Sequence, residues 1–156
     1  MRSPSAVIYM IYLKDSKIRV GGSAQVAKVF VDVLQSEDAV DQAKEHFYVM
    51  HLDTRSRVNM VELVTVGILT SSIVHPRETF RRAVMQGSAC IIVGHNHPSG
   101  EADPSAEDIK VTKVLFDAGK LLGIDMLDHI IFSPNAFFSF RDDRIRKMEK
   151  GGEKHE

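Results

Sequence analysis

The sequence predicts an α/β (α+β) fold, with a mixed, mainly antiparallel, curved sheet and helices packed against it. Three observations predict this class. Short apolar stretches alternate with helical patterns along most of the chain. Five polar residues, 53–57, separate two apolar stretches, which favours an antiparallel hairpin. A continuous apolar run at 89–94 is typical of a buried central strand.

Residues that begin and end helices set most element bounds. Ser23 has the residue type of a helix N-cap, and Ser105 precedes a long helical pattern. Pro76 stands where a first helical residue is expected, and Gly87 stands where that helix would stop. In order, the predicted elements are a strand at 6–13, a helix from Ser23 through Leu34, a loop or short helix at 36–44, strands at 47–52 and 58–66, a helix from Pro76 to Gly87, a strand at 89–94, a helix at 105–122, and strands at 124–132 and 136–140.

The predicted organisation has three parts within 156 residues. Residues 1–44 form an N-terminal extension with a strand and a helix, and residues 45–140 form the main domain. Residues 141–156 are charged, carry two glycines and have little to bury, so we expect a frayed helix or a disordered tail.

Composition excludes several classes of protein. The formal net charge of −1 gives no basic field that would attract nucleic acid. The apolar runs are too short to cross a bilayer, and no convincing signal peptide is present. A single cysteine, Cys90, excludes an intramolecular disulfide and fits a reducing compartment. We therefore expect a cytoplasmic protein with no membrane association. The sequence leaves the oligomeric state open.

The most informative stretch is His95-Asn96-His97-Pro98-Ser99-Gly100, followed by Ser105 and Asp108. Alternate side chains of an extended segment point the same way, so His95 and His97 can reach one ion together. Asp108 falls on the apolar stripe of the following helix, where an unpaired carboxylate would be costly. Zinc accepts such ligands, and a catalytic zinc site uses three of them. The residue types and their spacing predict a metal site held by His95, His97 and Asp108. One Zn²⁺ per chain is the expected occupant, although spacing alone does not fix the identity of the metal.

A second interpretation of the same residues stays open. Ser105 and Asp108 also have the pattern of a capping box, with Ser105 as N-cap and an acid in the first turn. Acidic residues are favoured there by the helix dipole whatever the protein does. Two histidines on the preceding segment are not required by a cap, which favours the metal interpretation.

The pattern His95-x-His97, seven residues, Ser105, two residues and Asp108 resembles the JAMM motif of the MPN metallopeptidase-like fold. Its surroundings resemble the bacterial RadC family from roughly Glu45 to Phe140, including the stretches 74–78 and 127–131. Longer RadC-like proteins carry an N-terminal helix-hairpin-helix module that is not obvious here. The resemblance implies an MPN/JAB, cytidine-deaminase-like architecture and a zinc-dependent hydrolase of peptide or isopeptide bonds, with a protein or peptide substrate.

Two further roles concern catalysis. Glu62 interrupts an otherwise apolar strand, upstream of the motif where the resemblance implies the glutamate that activates water; a solvent-facing position is the alternative. Glu78 is the rival, although it has the placing of an ordinary first-turn acid. The resemblance implies that Ser105 donates a hydrogen bond to the oxyanion.

Other polar residues are candidates for supporting roles. His75 and Arg77 are expected to line the cleft, and Arg77 could hold an anionic group. Asp128 and His129 are expected to orient a ligand histidine.

Two other classes of function compete with the hydrolase. A DNA-repair-associated factor lacks a basic stripe or recognisable DNA-binding motif. A non-catalytic interaction module would not need the full ligand set. A zinc-type nucleobase deaminase is excluded because its site needs two cysteines.

Overall fold

A seven-stranded sheet organises the molecule. The computed structural model describes residues 10–12, 18–68 and 74–148. In chain order the elements are β1 (Met10–Tyr12), α1 (Ser23–Gln35), α2 (Ala39–Gln42), β2 (His46–Leu52), β3 (Val58–Val66), α3 (Pro76–Gln86), β4 (Cys90–Asn96), α4 (Ala106–Leu122), β5 (Asp125–Phe132), β6 (Ala136–Ser139) and β7 (Arg144–Lys147). The strand order is β1-β3-β2-β4-β5-β6-β7.

The predicted mixed, mainly antiparallel sheet is confirmed. β4 and β5 pair in parallel, and the other neighbouring strands pair antiparallel. The predicted hairpin is β2 and β3, which pair on either side of the turn at 53–57. Of the strand predicted at 6–13, the described part is β1; the rest lies outside the described residues. Among the described helices, none is long and apolar enough to span a membrane.

The prediction for the charged tail was wrong at residues 144–147, which form β7 on the sheet edge. These side chains are largely exposed, so the sequence has no buried apolar face here that would predict a strand. Main-chain pairing with β6 holds it instead, and the Arg146 guanidinium lies 5.4 Å from the centre of the Phe137 ring. Residues 149–156 lie outside the described part of the chain.

Helices cover both faces of the sheet. On one face, α1 buries Phe30 against Tyr48 and Phe132, with ring centroids 6.1 and 5.5 Å away. On the other face, α3 and α4 contribute Phe80 and Leu115 to a second apolar cluster. The core therefore continues across residue 44, where the sequence predicts the end of an extension.

Gly94 lets α1 approach the strand that carries the candidate ligands. A Cβ at this position would lie 2.6 Å from the Phe30 Cε2 atom, and the ring is fully buried and cannot swing into solvent. Because Gly94 has no side chain, α1 can pack closely against β4 next to His95.

Replacing Gly94 with Ala should lower the free energy of unfolding by roughly 1–3 kcal/mol, because the methyl group overpacks the core against Phe30. Urea denaturation followed by circular dichroism measures the change. Gly22→Ala is the control, since a Cβ there meets no atom within 4 Å. Equal stability of the Gly94 variant and the native protein would contradict this packing argument.

Candidate metal centre

The two histidines come from the middle of the sheet. His95 is the penultimate residue of β4, and His97 follows directly after the strand. The chain stays alongside β5 there, because the His97 N–H donates to the Phe132 carbonyl at 3.3 Å. Asp108 is the third residue of α4, the helix that follows the turn at 98–100. The structure thus brings together the three predicted ligands.

The two histidine nitrogens lie close to each other, and each faces a different oxygen of the Asp108 carboxylate. His95 Nε2 lies 3.1 Å from His97 Nε2 and 3.1 Å from Asp108 Oδ1, and His97 Nε2 lies 3.1 Å from Asp108 Oδ2. Zinc bonds of about 2.0–2.1 Å in a tetrahedron separate neighbouring ligand atoms by about 3.3 Å. The chemistry and the spacing of these donors fit one face of a tetrahedral zinc site. Within the described part of the chain, His95, His97 and Asp108 form a group that could hold a metal ion.

Burial and polar contacts shift the pKa values of Asp108 and His97. Burial would raise the pKa of Asp108, but the contacts with His95 and His97 outweigh burial and hold that pKa well below its usual range. The hydrogen bond to Asp108 raises the pKa of His97. His95 and Asp108 are buried, whereas the His97 side chain remains 17% exposed. The site is therefore open to solvent on the side of His97.

The capping-box interpretation of Ser105 and Asp108 is confirmed, and it is compatible with the metal interpretation. The Ser105 hydroxyl accepts from the Asp108 N–H at 3.1 Å, and the Ser105 N–H donates to Asp108 Oδ2 at 2.8 Å, which completes a capping box. The cap fixes the carboxylate that meets the histidines. Because the hydroxyl accepts in this cap, its own hydrogen remains available to donate.

The buried side chain of His129 contacts His95 at Nδ1, the ring nitrogen that does not face the other two candidate ligands. His129 Nε2 lies 2.7 Å from His95 Nδ1, as expected for a residue that orients a ligand. Asp128 does something else: its carboxylate accepts from the Ser139 hydroxyl at 2.6 Å and from the backbone N–H groups of His129 and Arg141. These bonds fix the turn that follows β6. Burial raises the pKa of Asp128.

Comparison with known proteins places this arrangement in a family. A family model described as "RadC-like JAB domain" matches residues 20–145. The chain belongs to the RadC-like JAB domain family. The fold agrees with the MPN/JAB architecture that the resemblance implies. Curated relatives include UPF0758 proteins from Methanosarcina mazei, 50% identical over 107 residues, and from Chlorobaculum parvum, 50% identical over 105 residues.

The matches cover part of each relative. They span 69% of this chain and 47% of the Methanosarcina protein, and 67% of this chain and 47% of the Chlorobaculum protein. A UPF0758 protein from Desulforamulus reducens is 47% identical over 108 residues, which is 69% of this chain and 48% of that protein. The chain spans about half the length of the curated relatives it matches.

Glu62 of the RadC-like domain lies on the same sheet face as His95, but in a separate polar cluster. Glu62 on β3 pairs with Val49 on β2, and Val49 pairs with Val93 on β4, two residues before His95. Standard strand spacings put Glu62 roughly 12 Å from His95. Its carboxylate accepts from His51 Nε2 at 2.9 Å and lies 3.7 Å from Arg82 Nε. These partners hold it beside α3.

The other candidates on α3 lie at its first turn. The His75 ring accepts the Arg77 N–H at 3.0 Å and caps the helix. Glu78 is half exposed and lies 3.6 Å from the Arg77 guanidinium. Within the described residues, these contacts of His75, Arg77 and Glu78 are local to the start of α3.

Glu45 is a carboxylate near the ligands that the sequence argument missed. It immediately precedes β2, and β2 pairs antiparallel with β4, Phe47 opposite His95. Extending that register by two residues puts Glu45 opposite His97, and its charge contributes to the raised pKa of His97. Its significance comes from strand register, which no local pattern around residue 45 reveals.

Replacing Asp108 with Asn in the metal-free protein should lower stability most between about pH 4 and pH 6.5. The pKa of Asp108 is held below its ordinary 3.8, so its contribution is present above that pH and lost as the pH falls further. The pKa of His97 is raised above 6.5, so its contribution is complete below pH 6.5 and lost as the pH rises through the raised value.

We expect a difference of about 1–3 kcal/mol within that window, because a buried charged hydrogen bond is removed. Urea denaturation with chelator at about pH 3, 5.5 and 9 measures it. Asp117→Asn is the control, since Asp117 is exposed and pairs with Lys113 on the same helix. A difference that stays the same at all three pH values would contradict the coupling.

Proposed function

We propose that this RadC-like domain is a zinc-dependent hydrolase that cleaves amide bonds, peptide or isopeptide, in a protein or peptide substrate. The observation that carries the proposal is the close group of His95 Nε2, His97 Nε2 and the Asp108 carboxylate: the two nitrogens lie 3.1 Å apart, and each lies 3.1 Å from one of the two carboxylate oxygens. Membership of the RadC-like JAB domain family supports the same chemistry.

His95, His97 and Asp108 would hold the ion. When bound, Zn²⁺ polarises a carbonyl oxygen and makes a water molecule acidic enough to lose a proton near neutral pH. A zinc ion held by three protein ligands would leave one coordination position for water or substrate. The partly exposed His97 supports substrate entry from its side, whereas buried His95 and Asp108 close the opposite side.

Glu45 is the proposed general base in place of Glu62. Its position opposite His97 and its effect on the pKa of His97 support a carboxylate within reach of the attacking water. Glu62 is engaged by His51 and Arg82 beside α3. Glu45 would take the proton from water and return it to the departing amine, so that the leaving group departs neutral.

Ser105 is proposed to stabilise the oxyanion. Its side chain is exposed at the start of α4, and its hydroxyl already accepts from the Asp108 N–H. That bond orients the oxygen while its hydrogen stays free to donate to a substrate carbonyl as negative charge develops.

Metal content tests the foundation of the proposal. Purified native protein supplied with Zn²⁺ should retain about one zinc per chain after gel filtration, and a His97→Ala, Asp108→Ala double variant should retain none. Elemental analysis measures both, and circular dichroism checks that the variant is folded. Zinc retention by the double variant, or no zinc in the native protein, would refute the site.

The two candidate bases are separated by matched substitutions. Glu45→Gln should lower kcat on a peptide cleaved by the native protein by about 10²–10⁴-fold, because proton transfer is lost while the metal ligands remain. Glu62→Gln changes the same functional group outside the proposed cleft and should retain most activity. A peptide-library screen supplies the substrate, and zinc content is checked in parallel. Loss of activity in the Glu62 variant alone would return the role to Glu62.

A further inference from the structure

We infer that Thr112 and His129 position His95 by fixing which ring nitrogen carries the proton, so that His95 Nε2 presents a lone pair to the metal. The inference rests on the proposed metal site. It concerns a row of side chains behind the ligands, which runs from His95 on β4 through His129 on β5 to Thr112 on α4.

Short contacts connect the row. His95 Nδ1 lies 2.7 Å from His129 Nε2, and His129 Nδ1 lies 2.6 Å from Thr112 Oγ1. The Thr112 hydroxyl lies 2.6 Å from the Asp108 carbonyl oxygen, one helical turn earlier. His95 and His129 are each only 1% exposed, so water does not compete for their ring nitrogens. Each contact must therefore be assigned a donor and an acceptor within the protein.

The carbonyl at the end of the row sets its direction. A carbonyl can only accept, so the Thr112 hydroxyl donates its hydrogen to Asp108 and its oxygen accepts from His129 Nδ1–H. A buried neutral imidazole carries one hydrogen, and the contact with Thr112 places that hydrogen of His129 on Nδ1. Its Nε2 then has no hydrogen and accepts from His95 Nδ1–H. His95 is left with a bare Nε2, the atom that faces His97 and Asp108.

If the hydrogen bonds of the row ran in the opposite direction, His95 would be in the tautomer that cannot bind a metal through Nε2. If Thr112 donated to His129 Nδ1, the hydroxyl would lose its bond to the Asp108 carbonyl. His129 Nε2–H would donate to His95 Nδ1, and His95 would carry its proton on Nε2. A protonated Nε2 cannot bind a metal, so this arrangement would require a rearrangement before binding.

The row also joins two ligands from different elements. It starts on the ring of His95 and ends on the main-chain carbonyl of Asp108, whose side chain meets the same ring from the other side. Movement of α4 relative to β4 would therefore disturb both ligands together. Phe140 stacks on His129 with ring centroids 4.9 Å apart and keeps the imidazole plane in place.

Zinc affinity tests the role of the hydroxyl. Thr112→Val removes the hydroxyl at nearly constant shape and should weaken zinc binding about 10–100-fold, the usual effect of losing a partner of a ligand histidine. Thr112→Ser keeps the hydroxyl and should stay within about threefold of the native affinity. Competition with a chromophoric zinc chelator measures all three proteins.

Thr79→Val is the matched control. Thr79 is, like Thr112, a helical threonine whose hydroxyl donates to the carbonyl four residues earlier, in its case that of His75, but it is fully buried and lies on α3. If the hydroxyl of Thr112 merely stabilised its helix, the two valine variants would lose similar stability and bind zinc equally well. Unchanged zinc affinity in Thr112→Val would overturn the inference.

Proton positions give a second readout that needs no variant. Long-range ¹H–¹⁵N spectra of the native zinc-loaded protein should show a proton on Nδ1 of both His95 and His129 and none on His129 Nε2. A proton on His129 Nε2 would overturn the inference even if Thr112→Val failed to fold. Native protein that binds no zinc would refute the proposed function itself. Native binding with an unaffected Thr112→Val variant would refute only the relay.

Discussion

The parallel pairing of β4 and β5 is the constraint on which the candidate site depends. Two parallel strands cannot be joined by a hairpin, so the chain must run back along the sheet before β5 begins. α4 makes this return, and its first turn therefore lies at the end of β4 where the histidines emerge. Asp108 reaches His95 and His97 because of this geometry, although it is eleven residues beyond His97 in the chain.

The same aspartate serves folding and the candidate metal site. As the third residue of α4, Asp108 accepts from the Ser105 N–H, and its own N–H donates to the Ser105 hydroxyl. These bonds hold the carboxylate in one orientation while both of its oxygens face histidine nitrogens. A ligand that is already ordered costs less entropy when a metal binds. Asp108 therefore takes part in both the capping box and the candidate metal site.

Support for the site extends through the sheet to both layers of helices. On one face, Phe30 of α1 packs over Gly94, the residue before His95. On the other face, His129 and Thr112 tie His95 to α4. A rigid central strand suits a metal centre, because ligand atoms must be held within a few tenths of an ångström of their productive positions.

The sequence by itself determined the fold class, most helix bounds and the candidate ligand set, because those depend on local patterns: apolar periodicity, caps and the spacing of His95, His97 and Asp108. It did not identify β7, since an exposed edge strand is held by backbone pairing rather than by an apolar face. Tertiary structure alone brought Glu45 opposite His97, separated Glu62 from the ligands and connected Thr112 to His129. Such relations depend on strand register and on helix placement, which join residues far apart in the chain and leave no local signal.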